Sequence, residues 1–193
     1  MKNLKLLLVI LSLTFGFVAQ LRAQSQSKGL YLTFNDYQHH KLSYGTDLKD
    51  LNMNKIFIHE FIGHNKVTVI SNGKKLIFNK SEIFGYHNNN QDYRFYENKA
   101  YQIVDTAGFY IYSFEKLIQE GKGPKPERFF YFSTKTNNEI LPLTFGNIEK
   151  TFPKNPKFRN MVEVESKSGI QLSDYDKELN TYKIKELYTE SLK

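Results

Sequence analysis

The segment His59-Glu60-Phe-Ile-Gly-His64 brackets an acid with two histidines, the residue types with which zinc proteases hold a metal and activate its water. The spacing argues against that chemistry. On a helix, positions four apart differ by about 40° and share a face, whereas positions five apart differ by about 140°. The flanking pattern is that of a strand, with His59 mid-strand and His64 at a loop tip, so joint ligation is not expected there either. His39 and His40 are adjacent, which turns them about 100° apart on a helix and to opposite faces of a strand. They read as surface histidines near a turn. Only a fold that gathers His39, His40, His59 and His87 from distant positions would make a metal site, and no cofactor is expected.

The acids and hydroxyls offer little more. Asp174 and Asp176 fall where they would offset a helix dipole. Glu163 and Glu165 have no neighbour in sequence that would tune their acidity. No serine lies in a G-x-S-x-G context, and neither a P-loop nor a G-x-G-x-x-G occurs. A ligand surface is a better prospect. In Tyr93-Arg94-Phe95-Tyr96 alternation sends Tyr93 and Phe95 to one face as core, leaving Arg94 and Tyr96 outward. With Tyr86 these form a candidate ligand-binding surface, because Tyr and Arg combine apolar area with hydrogen-bonding tips. In the competing reading the C-terminal helix covers that face and these residues are structural.

The elements that must position these groups read as mainly β, α+β overall. An antiparallel meander of seven to nine strands is expected, forming a barrel or a sandwich, with short helices near the N-terminus and at the C-terminus. Strands are predicted at Lys55–Ile62, Lys66–Ser71, Lys74–Phe78, Ile83–His87, Asp92–Glu97, Ala100–Asp105, Phe109–Phe114, Arg128–Thr134 and Glu139–Leu143. Asn72-Gly73 tolerates the positive φ angles of a two-residue hairpin turn, and Asn88 to Gln91 and Glu97-Asn98-Lys99 supply further turns. Gly121 to Glu127 reads as a flexible basic loop. Expected core residues are Ile56, Ile58, Val67, Val69, Tyr93, Phe95, Ile103, Ile111 and Phe132. Thr33 is placed to cap a short helix over Phe34–His40, with Asp36 at its third position. Asn147–Phe152 and Phe158–Val162 read as helices broken by Pro153 and Pro156. Ser173 then caps a longer helix with a Leu172, Tyr175, Leu179 and Tyr182 stripe, ending in Lys183, Lys185 and Lys193.

The chain has 193 residues. Its first 23 have the layout of an export signal: basic Lys2 and Lys5, an apolar run from Leu6 to Ala19, then Leu21-Arg22-Ala23 with a small residue at the cut. Cleavage after Ala23 removes three basic residues and leaves 24 against 20 acids, so the formal charge falls from +7 to +4. That modest value argues against nucleic acid as a partner. The apolar run is shorter than a bilayer span, and nothing later is apolar for as long, so no transmembrane segment is expected in the mature chain. With no cysteine, disulfides, cysteine nucleophiles and lipoprotein acylation are excluded. Burial must supply the stability, which suits 16 Phe and 13 Tyr. The organisation expected is a signal over 1–23, an N-terminal segment with a short helix over 24–54, an antiparallel β domain over 55–143, and a C-terminal helical segment over 144–193.

Several phrases together, Gly29-Leu-Tyr-Leu-Thr33 with Asp36-Tyr37, Ile83-Phe-Gly85-Tyr86, Tyr93-Arg-Phe-Tyr96, Leu143-Thr144 through Asn147 to Phe152-Pro153 and Phe158, and Tyr175-Asp176 with Tyr182-Lys183, resemble uncharacterised exported proteins of Bacteroidetes bacteria. The resemblance implies a periplasmic or secreted setting in a Gram-negative cell and transfers no activity, cofactor or site. The expected function is a non-catalytic envelope binding or structural module whose partner is an envelope protein or a cell-wall or glycan component. The alternative is a hydrolase or metal-dependent enzyme built from residues distant in sequence.

Overall fold

The computed structural model describes residues 28–46, 54–59, 64–121, 123–136 and 138–193; the expected export signal lies outside the described residues. The chain is mainly β, as its turn spacing predicts. In chain order the strands are β1 (Lys28–Tyr31), β2 (Ser43–Thr46), β3 (Asn54–Phe57), β4 (Lys66–Ser71), β5 (Lys74–Asn79), β6 (Gly85–Asn88), β7 (Gln91–Tyr96), β8 (Lys99–Asp105), β9 (Tyr110–Glu120), β10 (Gly123–Ser133), β11 (Leu141–Pro142), β12 (Tyr175–Asp176) and β13 (Thr181–Tyr182). The helices are α1 (Phe34–Gln38), α2 (Phe145–Thr151), α3 (Pro156–Lys167) and α4 (Lys183–Ser191).

Eight strands form one antiparallel sheet in the order β11-β10-β9-β8-β7-β6-β1-β2, and β3-β4-β5 form a second. Among the described residues the large sheet is not closed on itself, so the barrel alternative is not realised. Local chemistry sets the hairpins. Asn72-Gly73, Asn89-Asn90 and Glu97-Asn98 are two-residue turns with positive φ at both positions, the geometry that matches strand twist. Gly85 is needed for another reason, since a Cβ there would sit 1.8 Å from the Tyr93 carbonyl oxygen.

The register divides the large sheet's side chains between two faces. Leu30, Tyr86, Tyr93, Gln102, Ser113, Ile111 and Phe132 share one face; Tyr31, Arg94, Tyr101, Tyr112 and Tyr131 share the other. The first face has two covers. The small sheet lays Ile56, Val67 and Val69 against Leu30, Tyr86 and Phe95. The helices lay Ile148, Phe158, Val162, Ile184 and Leu187 against Phe109, Ile111 and Phe132. The second face holds a cluster of Tyr101, Tyr112, Tyr131 and Ile140, the last from the chain after β10. Of the expected core residues Ile56, Ile58, Val67, Val69, Phe95, Ile111 and Phe132 are buried, while Tyr93 and Ile103 are half-buried.

Several expectations need correction. The strand predicted over Lys55–Ile62 stops at Phe57, and His59 has φ of 54°. The predicted loop over Gly121–Glu127 is mostly strand, because β9 and β10 form a long hairpin that turns at Gly121. Pro124 and Pro126 fit because β11 pairs only with Tyr131 and Phe132, leaving that stretch of β10 an edge. Pro156 opens α3 rather than breaking it, with Asn155 accepting from the Phe158 N–H as its cap. No helix runs from Ser173 to Tyr182. The carboxylate of Asp176 accepts the N–H groups of Glu178 and Leu179, and Asn180 takes a positive φ, which makes a β12–β13 hairpin with Tyr175 and Leu179 exposed. The C-terminal helix starts at Lys183, so Lys183 and Lys185 lie in its first turn.

Candidate functional site

The structure separates the expected ligand residues. Tyr86 is buried beneath the small sheet, its ring stacked on Tyr93 at 4.5 Å. Arg94 lies on the opposite face and is itself buried, and only half-buried Tyr96 reaches solvent beside it. The expected outward Tyr–Arg surface is therefore not exposed. What covers Arg94 is the chain after β10, not the C-terminal helix. Its guanidinium donates to Tyr112 Oη (3.1 Å) and to the Asn138 carbonyl (2.8 Å), and lies over the Tyr96 and Tyr112 rings. Tyr112 then bonds Ser133 Oγ at 2.9 Å, and Ser133 donates to the Lys135 carbonyl. This relay ties the 134–140 connection to β7 and β9. Arg94→Ala is expected to cost about 1–3 kcal/mol in urea unfolding, because buried acceptors lose their donor. Lysine should not rescue it, lacking the planar fork.

The histidines do not converge. His39 and His40 are exposed after α1, and His39 Nδ1 meets the Asn35 carbonyl. His59 and His64, expected to lie apart, bring their rings to 5.8 Å, because the chain leaves β3 before His59; residues 60–63 lie outside the described residues. Among the described residues no three His, Cys, Asp or Glu side chains gather as a metal site would require.

His87 has a partner that the sequence reading missed. Its Nδ1 lies 2.7 Å from Asp92 Oδ1, which also accepts from Tyr31 Oη at 2.8 Å. A carboxylate can only accept, so Nδ1 carries a proton, and in the neutral ring Nε2 is the basic nitrogen, two-thirds of a hydrolytic triad. Among the described residues no serine or threonine hydroxyl bonds His87. Ser133 shares this face but is committed to the relay above, on a strand about 19 Å from β6, which carries His87, at the usual strand spacing. Tyr31 stays neutral, since burial, and then its bond to Asp92, push its phenol well above the ordinary tyrosine value.

A groove of about 480 Å³ opens on the first face where neither cover reaches. Along β8, Ala100 packs under the small sheet and Val104 under the helices, with Gln102 between them. Gln102, Ser113 and Tyr93 line the groove, the Phe114 ring being turned to the opposite face beside Tyr101, with Glu115 and Arg128 at the β9–β10 side, Lys99 beside Ala100, and Lys80, buried over the Phe95 ring, at the end of β5. Ser113 donates to Gln102 Oε1 at 3.3 Å, and Glu115, the one acid among the described lining residues, is paired with Arg128 at 3.1 Å. Amides, hydroxyls, the Tyr93 ring and excess positive charge converge here, with no nucleophile beside a base among the described residues. Pairing Glu115 with Arg128 was hidden from the sequence reading by the loop expected at Gly121–Glu127. A second hollow, among Phe152, Asn155, Tyr188 and Ser191, is wider, but Asn155 and Ser191 are already bonded to each other and to helix ends.

The chain matches no protein-family model, and comparison with curated proteins and with solved structures finds no match.

Proposed function

We propose that the protein is an exported, non-catalytic binding module whose groove between the two covers of the large sheet holds a cell-wall or glycan component carrying a carboxylate. The groove's lining carries this reading. Amide and hydroxyl groups from Gln102, Ser113 and Tyr93 suit sugar hydroxyls and acetamido groups, the Tyr93 ring suits a sugar face, and Lys99 and Arg128 suit an acid. The exported setting, periplasmic or secreted, rests on the Met1–Ala23 pattern, and N-terminal sequencing of exported protein should begin at Gln24.

Soluble peptidoglycan fragments are the probe. Arg128→Ala is expected to weaken their binding about tenfold or more by calorimetry, since hydrogen bonds to charged groups are the strong ones. Its melting temperature should hardly move, because the Arg128–Glu115 pair is exposed. Unchanged binding would remove the groove as the site.

The His87–Asp92 pair favours a second reading, hydrolysis with His87 as base. It requires a nucleophile, or a water, brought to Nε2 by the substrate, and it ties activity to His87 rather than to Arg128.

A further inference from the structure

The outer face of the small sheet is chemically one-sided. Every charged residue on β3, β4 and β5 is a lysine. The register orders the outward side chains in rows across the three strands: Lys55, Ile70 and Lys75 in one, Phe57, Thr68 and Ile77 in the next, then Lys66 opposite Asn79. Successive rows on one face are about 7 Å apart, so an apolar row runs between two cationic ones on a patch roughly 10 Å wide. Phe57 is 44% exposed and Ile77 is 54% exposed, while Ile56, Val67 and Val69 on the inner face are buried. The nearby acid Glu82 is turned to Asn79, accepting from its amide.

We infer that this face docks on an anionic membrane surface, with Phe57 and Ile77 entering the headgroup boundary and Lys55, Lys66 and Lys75 reaching lipid phosphates. Lysine carries its charge on a long apolar stem, which lets the ammonium reach outward while the stem stays with the apolar row. An apolar centre with a lysine rim is the composition of surfaces that lie in the lipid interface. Nucleic acid fits less well. The face has no arginine to read a base edge or clamp a phosphate, and places apolar side chains where polar readers would stand. Membrane docking is independent of the groove, which lies on the large sheet.

The chain contains no tryptophan, so Phe57→Trp provides a single reporter on this face. In the full chain its emission is expected to shift blue on vesicles of phosphatidylglycerol mixed with phosphatidylcholine, and not on phosphatidylcholine alone. Raising sodium chloride from ~0.1 to ~1 M, which shortens the screening length from about 10 to about 3 Å, should weaken the response. Lys55→Gln and Lys75→Gln should each lower vesicle affinity about fivefold. Near-ultraviolet circular dichroism confirms that each variant is folded, and Arg128→Ala, which tests the groove, should leave the shift intact. Cosedimentation with vesicles but no blue shift would overturn the inference, because another segment would then be doing the binding. A shift that grows with protein concentration without vesicles would assign the face to a second copy, and a shift on adding DNA alone would assign it to nucleic acid. Either result, or no response at all, contradicts membrane docking.

Discussion

Replacing Lys185 by alanine is expected to lower the unfolding free energy by about 3 kcal/mol, the low end of the cost of breaking a buried ion pair by removing one partner, since the Asp105 side chain stays 20% exposed. Lys185 is 4% exposed in the first turn of α4. Its ammonium meets Asp105 Oδ1 at 3.1 Å, the Ala107 carbonyl at 2.6 Å and the Phe109 carbonyl, and lies 3.9 Å from the Phe109 ring centroid. One side chain thus joins the C-terminal helix to the β8–β9 turn. Burial pushes its ionisation below the usual lysine range, and Asp105 pulls it part of the way back. Alanine removes the ammonium from the Phe109 carbonyl, from the Ala107 carbonyl, which keeps the Phe109 N–H, and from Asp105 Oδ1, which keeps the Ala107 N–H. Lys185→Met should be nearly as costly while Asp105 remains, and Asp105→Asn in the same chain should recover part of the loss. Urea unfolding of the wild-type chain, Lys185→Met, Asp105→Asn and the double variant gives the coupling as a double-mutant cycle. Additive effects would mean that the pair does not act as a unit.

A second large effect is expected at high pH. Tyr31, Tyr37 and Tyr101 are buried, and burial is the first cause of the upward shift in all three. Tyr101 is pushed up to about 12; Tyr31 and Tyr37 rise further, with Asp92 adding to both. The unfolded chain releases these protons near pH 10, while the folded chain holds them. Their contribution is complete below pH 10 and is lost as pH rises toward the folded values. Each neutral tyrosine then costs about 1.4 kcal/mol per pH unit, so three together remove about 4 kcal/mol per unit. Lys185 has the opposite sign, since its lowered ionisation favours the folded state as pH climbs toward the ordinary lysine value. One lysine does not offset three tyrosines. Loss of near-ultraviolet dichroism should therefore coincide with a steep rise in tyrosinate absorbance above pH 10. Gradual ionisation of all tyrosines near pH 10 with the fold intact would contradict the burial argument. Tyr31→Phe should reduce the slope by about a third.

Sequence and structure agree where one local interaction decides. Thr33 and Asp36 form a reciprocal capping box, and Asn72-Gly73 forms its turn, because each needs only a few neighbouring residues. The burial of Val67 and Val69 follows from strand alternation alone. The C-terminal stripe fails because helical spacing of Leu172, Tyr175, Leu179 and Tyr182 competes with the Asx turn at Asp176, and the turn wins. Arg94 and Lys185 were illegible because burial of a cation depends on acceptors distant in sequence: Asn138 and Tyr112 for one, Asp105 and two carbonyls for the other. The His87–Asp92 pair was within reach. Once Asn88 to Gln91 is read as a tight turn, His87 and Asp92 must oppose each other across the hairpin. The groove was not, since it exists only where two covers, built from different parts of the chain, stop short of each other.

Binding without turnover is the central claim, and it is tested by recovering the ligand. Soluble peptidoglycan fragments are titrated into the full chain by calorimetry, and the mixture is then resolved by chromatography with mass spectrometry. Saturable binding that Arg128→Ala weakens and His87→Ala leaves unchanged, with every fragment recovered intact, is the expected result. Cleaved fragments from the wild-type chain, intact ones from His87→Ala, would contradict the account and make the His87–Asp92 pair the active centre.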